Sequence, residues 1–135
     1  SGEAAERFGR MVAAQGGPPG FVEQAARYLP QADVVLEVTA TDAGYVSAID
    51  GEALGLAVVS LGGGRQVETD VIDPAAGLSD IVALGCRIAP GDVLARVHAA
   101  RLEQAEETAD RIRAAIRLSA GAPELAPLIC DRIMR

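Results

Sequence analysis

The stretch of this sequence with the clearest chemical potential is a glycine triplet followed by one basic residue: Gly62, Gly63, Gly64 and Arg65. Glycine-rich loops bind phosphate when their free amides lie between a strand and the first turn of a helix, where the helix dipole favours an anion. Here the triplet follows an apolar helical pattern, so it lies at a helix carboxyl end, and three acidic residues come soon after it. We therefore interpret it as a mobile surface loop, whose Arg65 is still able to reach an anion held by another domain.

The other reactive residue types do not form a recognisable catalytic or metal-binding set. His98 is the single histidine, and no Ser, Cys or carboxylate stands out in the sequence as its acid–base partner, so we interpret it as structural. Cys86 and Cys130 lack any motif spacing, and we expect two buried free thiols, with a disulfide as the alternative. One histidine and two distant cysteines do not supply the ligands of a usual zinc site. We predict no metal and no catalytic residue.

Composition narrows the possible partners. The chain has 135 residues, 19 acidic and 12 basic side chains, and a net charge of −7; every basic residue is Arg. An acidic chain with 3% aromatic residues is unsuited to nucleic acid, which requires a basic surface and stacking platforms. No apolar run approaches the roughly 20 residues of a membrane helix, and no signal peptide is visible. We expect a cytoplasmic protein without nucleic-acid or membrane partners, with a core of Ala, Val, Leu and Ile.

The first 30 residues are predicted to be helical and to be separate from the rest. Apolar residues at helical spacing predict one helix over residues 3–14 and a second over 21–29, which Pro30 ends. We therefore divide the chain into a helical segment, residues 1–30, and a second domain, residues 31–135. Because the chain begins at Ser1 without Met and is helical almost at once, we expect it to be a piece of a longer protein.

Two strands and a buried helix are predicted next. Residues 34–40 and 45–49 are rich in β-branched residues and bounded by turn residues, which is typical of strands. Asp50 is a credible N-cap for a helix over residues 50–61, and Gly62 lies where a left-handed C-cap falls. Gly55 weakens this helix by roughly 1 kcal/mol relative to Ala, which is tolerable if another backbone packs closely there.

The last third of the chain continues this mixed pattern. Strands are predicted over residues 78–84 and 93–99, with a Pro-Gly-Asp turn between them. A long amphipathic helix is predicted over residues 101–119, including an ion pair between Glu107 and Arg111. A final edge strand is predicted over 127–133. The fold class is therefore α+β, with helices covering a mixed or antiparallel sheet and two short helices before it.

Residues 76–99 resemble half of a biotinyl- or lipoyl-type barrel-sandwich domain, including a turn of the form G-x-x-x-x-P-G-D-V-L. A carrier domain of that type holds its cofactor on a lysine at the hairpin tip. This chain contains no lysine, so the carrier function is excluded even if the shape is shared.

The chain as a whole resembles the C-terminal portion of thymidine phosphorylase and related pyrimidine-nucleoside phosphorylases. The similar segments run in order along nearly all of it: residues 6–18, 44–65, 70–77, 92–99 and 115–133. The last of them, which contains AIRLSAGAPELAPL, looks more like the bacterial thymidine branch. The resemblance implies an α/β-hammerhead domain, barrel-sandwich-like in its sheet.

The same resemblance implies reversible phosphorolysis of thymidine to thymine and 2-deoxyribose 1-phosphate, with phosphate as co-substrate and no cofactor. Family members are homodimers in which an α domain and an α/β domain enclose the substrates. Their Lys-His-Ser-Thr-Gly-Gly phosphate loop and their Arg, Ser and Lys contacts to the base lie upstream of this region, so no catalytic residue is carried over. We expect a buttress that is inactive alone, with residues 62–73 as a flexible loop that brings Arg65 to the cleft on closure. The alternative is a free-standing hammerhead interaction module.

Overall fold

The structure, a computed structural model, describes residues 1–65, 67–127 and 129–134. The chain separates into two compact units, Ser1–Gln31 and Ala32–Arg135. Within the described ranges, no helix is long and apolar enough to cross a membrane.

The first unit is small and lacks a buried core. Helix α1 spans Glu3–Ala14, as predicted, and helix α2 spans only Ala25–Tyr28. The prediction of a helix over residues 21–29 is therefore wrong for its first half, where the chain forms turns after Gly20, a residue with a positive φ of 74°. None of the residues of this unit is buried.

The second unit contains two three-stranded sheets and two helices. In chain order its elements are β1 (Val34–Thr39), β2 (Gly44–Ile49), α3 (Gly51–Val58), a π-helical turn (Val59–Gly63), β3 (Gly77–Ser79), β4 (Arg87–Ile88), β5 (Val93–Ala99), α4 (Leu102–Ala115) and β6 (Ile116–Ser119). One sheet has the order β1-β5-β3 and the other β4-β2-β6, and every pairing is antiparallel. The predicted α+β class is confirmed.

The core of the second unit lies between its sheets and helices. Helix α4 contacts α3, β1 and β5, and its Ile112 is fully buried. Val38, Val46 and Val97 are the other largest fully buried side chains. Thr108 is the one buried polar residue in the described part of the chain. The core is built from Ala, Val, Leu and Ile, as the composition predicts.

Two predicted boundaries need correction. The strand predicted over residues 78–84 ends at Ser79, because Asp80 takes a positive φ of 51°, which breaks the extended conformation. The helix predicted over residues 101–119 ends at Ala115, and the next four residues form β6 against β2. At Ile116 the backbone turns to φ −106° and ψ 119°, an extended conformation that no longer allows helical hydrogen bonds.

The end of the chain also differs from expectation. Among the described residues of the segment 127–133, none is in a strand; Leu128 lies outside the described residues. Cys86 and Cys130 are free thiols as predicted, but both are exposed rather than buried.

Candidate functional site

The glycine triplet is positioned by helix α3 and by the π-helical turn that extends it. The Asp50 carboxylate accepts a hydrogen bond from the Ala53 amide, with an O···N distance of 3.0 Å, so the predicted N-cap is confirmed. The helix continues to Val58 and is followed by the turn Val59–Gly63, which is assigned as π-helical and kinks at Gly62, where the backbone leaves helical φ/ψ. Leu61 in this turn is buried in the core, which attaches the base of the glycine triplet to the body of the second unit.

Gly62 ends the helical path in the left-handed conformation. Its φ is +93°, as expected for a glycine C-cap, and its carbonyl accepts a hydrogen bond of 2.9 Å from the Asp73 amide. Because this bond joins the two ends of the segment 62–73, the glycine triplet and Asp73 are held together at its base.

Gly63 and Gly64 are needed for a different reason, the close approach of neighbouring atoms. A Cβ on Gly63 would lie 2.8 Å from Val58 Cγ1 and 2.9 Å from the carbonyl oxygen of Ala76. A Cβ on Gly64 would lie 2.8 Å from Val59 Cγ2. Gly62 is therefore required for its left-handed backbone, and Gly63 and Gly64 are required because a larger residue would not fit.

Arg65 follows the packed glycines and is exposed. Across the residues that the structure describes, no acidic side chain forms an ion pair with it. Beside the turn is a shallow cavity of about 360 Å³, lined by the π-helical turn together with Asp70, Val71 and Gln104. Gly62 and Gly63 thus lie in the π-helical turn, and Gly64 and Arg65 follow it directly, with the Arg65 guanidinium as the one charged group of the four residues.

A link from helix α4 to this turn was not predicted. Arg111 Nη1 donates to Ser60 Oγ at 2.8 Å, and Ser60 Oγ donates to the Ala57 carbonyl at 2.8 Å. The prediction of an ion pair between Glu107 and Arg111 is wrong. Both residues are described, and the Arg111 guanidinium binds Ser60 instead. The two bonded residues are 51 positions apart, so no local pattern marks the pair.

A second polar cluster lies on the first sheet and was also missed. Arg96 on β5 forms ion pairs with Glu37 on β1, at 2.9 Å, and with Asp80 after β3, at 2.6 Å. The hydrogen bonds from Arg96 and then from Ser79 lower the pKa of Asp80, and the hydrogen bonds to Glu37 and then to Asp80 raise the pKa of Arg96. The sequence could have revealed part of this cluster, since alternate residues of neighbouring strands lie on the same face of a sheet.

His98 also has a partner that the sequence did not reveal. Its Nε2 lies 2.8 Å from Ser79 Oγ, a serine that did not stand out in the sequence. Asp80, the nearest carboxylate, bonds to Ser79 and to Arg96 rather than to the imidazole. The arrangement is therefore a hydrogen-bonded sheet surface and lacks the carboxylate–imidazole bond of a catalytic triad. In the described part of the chain, no three His, Cys, Asp or Glu side chains gather as metal ligands.

Comparison with known sequences identifies the family. The sequence pattern of the family described as pyrimidine nucleoside phosphorylase C-terminal domain matches residues 45–119, more than half of the chain. The chain belongs to this family. The match to the pyrimidine nucleoside phosphorylase C-terminal domain includes the glycine triplet, Arg65, Ser60 and Arg111.

A curated relative agrees with that assignment. The chain is 44% identical over 133 residues to a protein named thymidine phosphorylase from Agrobacterium fabrum (strain C58 / ATCC 33970). The aligned part is 98% of this chain and 30% of the relative. The chain therefore spans less than a third of the length of this relative. The predicted resemblance is confirmed.

Proposed function

We propose that this chain serves as the C-terminal domain of a thymidine phosphorylase. The parent enzyme is a pentosyltransferase of pyrimidine nucleoside metabolism, which converts thymidine and phosphate to thymine and 2-deoxy-α-D-ribose 1-phosphate. The observation that carries the proposal is the 44% identity to a thymidine phosphorylase over 98% of the chain.

In this proposal the chemistry belongs to the remainder of the enzyme. The chain has no lysine, and its one histidine is hydrogen-bonded to Ser79 on a sheet surface. The phosphate loop and the contacts to the base therefore belong to the α and α/β domains, and this chain alone is inactive. The parent acts as a cytoplasmic homodimer, as the family resemblance implies.

The first unit supports the proposed contact with the rest of the enzyme. Phe8 is 46% exposed and Met11 is 50% exposed on α1, although both are large apolar side chains. The ring centroid of Phe21 lies 6.1 Å from the ring centroids of Phe8 and of Tyr28, but none of the three residues is buried. A unit of this size without a buried residue cannot offset its own ordering entropy, so it requires a covering surface. We assign that surface to the α/β domain of the same enzyme.

The glycine triplet is proposed to carry Arg65 to the mouth of the substrate cleft. A guanidinium is suited to phosphate or to a sugar phosphate, because it offers several fixed N–H donors and a permanent positive charge. In the full-length enzyme, Arg65→Ala is expected to raise the KM for phosphate or to slow cleft closure. Arg117→Ala is the matched control, because Arg117 is also exposed but lies on β6. If Arg65→Ala leaves the kinetics at the level of this control, the loop is passive.

The activity itself is tested with the full-length enzyme that carries this chain. Phosphate-dependent release of thymine from thymidine is followed by ultraviolet absorbance, with deoxyuridine and uridine as competing substrates. We expect turnover of thymidine that disappears when phosphate is omitted. Absence of phosphate-dependent thymine release from a folded full-length enzyme contradicts the proposal, and a preference for uridine assigns it to the broader pyrimidine branch.

A further inference from the structure

A hydrogen bond from Arg111 holds the π-helical turn from the outside. Ser60 is the second residue of this turn and lies two residues before Gly62. Its hydroxyl accepts from Arg111 Nη1 and donates to the Ala57 carbonyl, each at 2.8 Å, so both the acceptor and the donor capacity of the hydroxyl are used. The arginine thereby reaches the main chain of α3 through one serine.

The base of the glycine triplet is fixed at three points. Leu61 is 3% exposed and anchors the turn in the core. The Asp73 amide donates to the Gly62 carbonyl at 2.9 Å and closes the segment. Arg111 supplies the third point through a charged side chain, which comes from helix α4. Gly62 leaves helical geometry with a φ of +93°, so beyond Leu61 these bonds from outside the helix hold the chain in place.

Helix α4 is a rigid support for this third point. Ile112, directly after Arg111, is fully buried, and Ala109 and Ala115 are also buried. Helix α4 therefore cannot shift without disturbing the core. The Arg111 side chain itself is exposed, so its hydrogen bond is formed at the edge of the domain rather than inside it.

We propose that Arg111 is a positioning residue for the glycine triplet. Through Ser60 it fixes the backbone from which Arg65 projects, and it thereby sets where the Arg65 guanidinium meets a phosphate or sugar-phosphate anion. This inference rests on the proposed function, because the benefit of a fixed Arg65 appears only when the remaining domains hold the anion.

The expected effects follow from the loss of one exposed, charge-assisted hydrogen bond. In the full-length enzyme, Arg111→Ala and Ser60→Ala each raise the KM for phosphate about threefold to tenfold and change kcat less, in line with the loss of a single such bond. Arg111→Lys restores part of the effect, because an ammonium group still donates to Ser60. Arg117→Ala is the matched control on β6.

Two further readouts separate positioning from a general loss of stability. Hydrogen–deuterium exchange of the amides in residues 59–65 is faster in Arg111→Ala and in Ser60→Ala than in Arg117→Ala, while exchange in β5 stays unchanged. The double variant Arg111→Ala/Arg65→Ala is no worse than Arg65→Ala alone, because Arg111 acts through Arg65. Independent effects that multiply in the double variant overturn the proposal.

The remaining outcomes distinguish this inference from the proposed function. Unchanged exchange in residues 59–65 of Arg111→Ala overturns the positioning role, whatever the activity. If Arg65→Ala impairs phosphate binding but Arg111→Ala does not, only the positioning role is overturned. If neither variant changes the kinetics, the proposed role of Arg65 fails and the positioning role fails with it, although thymidine phosphorolysis by the enzyme stands.

Discussion

Two glycines in the same helical region are predicted to respond in opposite directions to the same substitution, Gly→Ala. Gly55 lies inside α3 and is exposed, and a Cβ built there meets no atom within 4 Å. The close backbone packing that would make a glycine tolerable inside this helix is therefore not found at Gly55 among the described residues. At Gly63, a Cβ would lie 2.8 Å from Val58 Cγ1 and 2.9 Å from the Ala76 carbonyl oxygen.

The magnitudes follow from these surroundings. Gly55→Ala gains helix propensity without a clash, so it should raise the free energy of unfolding by about 1 kcal/mol. At Gly63 the added methyl group would need the backbone of Ala76 to move, because a carbonyl oxygen cannot rotate away. Overpacking of this kind costs about 1–3 kcal/mol, so the two variants should differ by about 2–4 kcal/mol.

The assay is urea unfolding of the 135-residue chain, followed by far-ultraviolet circular dichroism. Equal denaturant slopes for the wild type and both variants would attribute any shift of the midpoint to stability. If Gly63→Ala is as stable as the wild type, Gly63 is not held by close packing and the constraint that we assign to the triplet is refuted. If Gly55→Ala is less stable than the wild type, the claim that a methyl group fits at Gly55 without a clash is refuted.

Three further predictions concern the same unit. Asp50→Ala should lower the free energy of unfolding by about 1 kcal/mol in the same urea assay, because the amide of Ala53 loses its N-cap acceptor. Ile112→Ala should lower it by about 2–5 kcal/mol, because the side chain is fully buried. Asp80 has a pKa that Arg96 holds below its ordinary value in the folded chain, so its contribution to stability is present above the unfolded pKa of about 4 and is lost as the pH falls through the folded pKa. Urea unfolding between pH 5 and pH 3 should therefore show a shallower loss of stability for Asp80→Asn than for the wild type.

Local signals predicted the elements whose hydrogen bonds are local or whose alternation is clear. Helix α1 and strands β1 and β5 agree with the sequence to within a residue or two. The caps at Asp50 and Gly62 were also predictable, because each depends on the chemistry of one residue and its near neighbours.

The errors arise where distant residues decide the conformation. Ile116 continues the apolar stripe of α4, yet it pairs with Ile49 of β2, which lies 67 positions earlier. Helical spacing alone cannot exclude this, since an apolar residue suits a buried helix and a buried strand equally. The tertiary pairing decides, and the final residues of the predicted helix become β6.

The candidate site was predictable only in its residue types. The sequence indicated Arg65 and the three glycines, and it correctly placed them after a helix carboxyl end. It did not indicate that Gly63 packs against Ala76, or that Arg111 binds Ser60, because these contacts join segments that are separate along the chain. The hydrogen bond between Ser79 and His98 was missed for the same reason, although the two residues lie on neighbouring strands.

The most direct test of the account compares thymine release by two purified proteins at equal molar concentration, each with thymidine and phosphate. One is the full-length enzyme, and the other is this 135-residue chain by itself. The account predicts phosphate-dependent thymine release by the full-length enzyme and none above background by the chain. Release of thymine by the chain alone would contradict the claim that its neighbouring domains perform the chemistry.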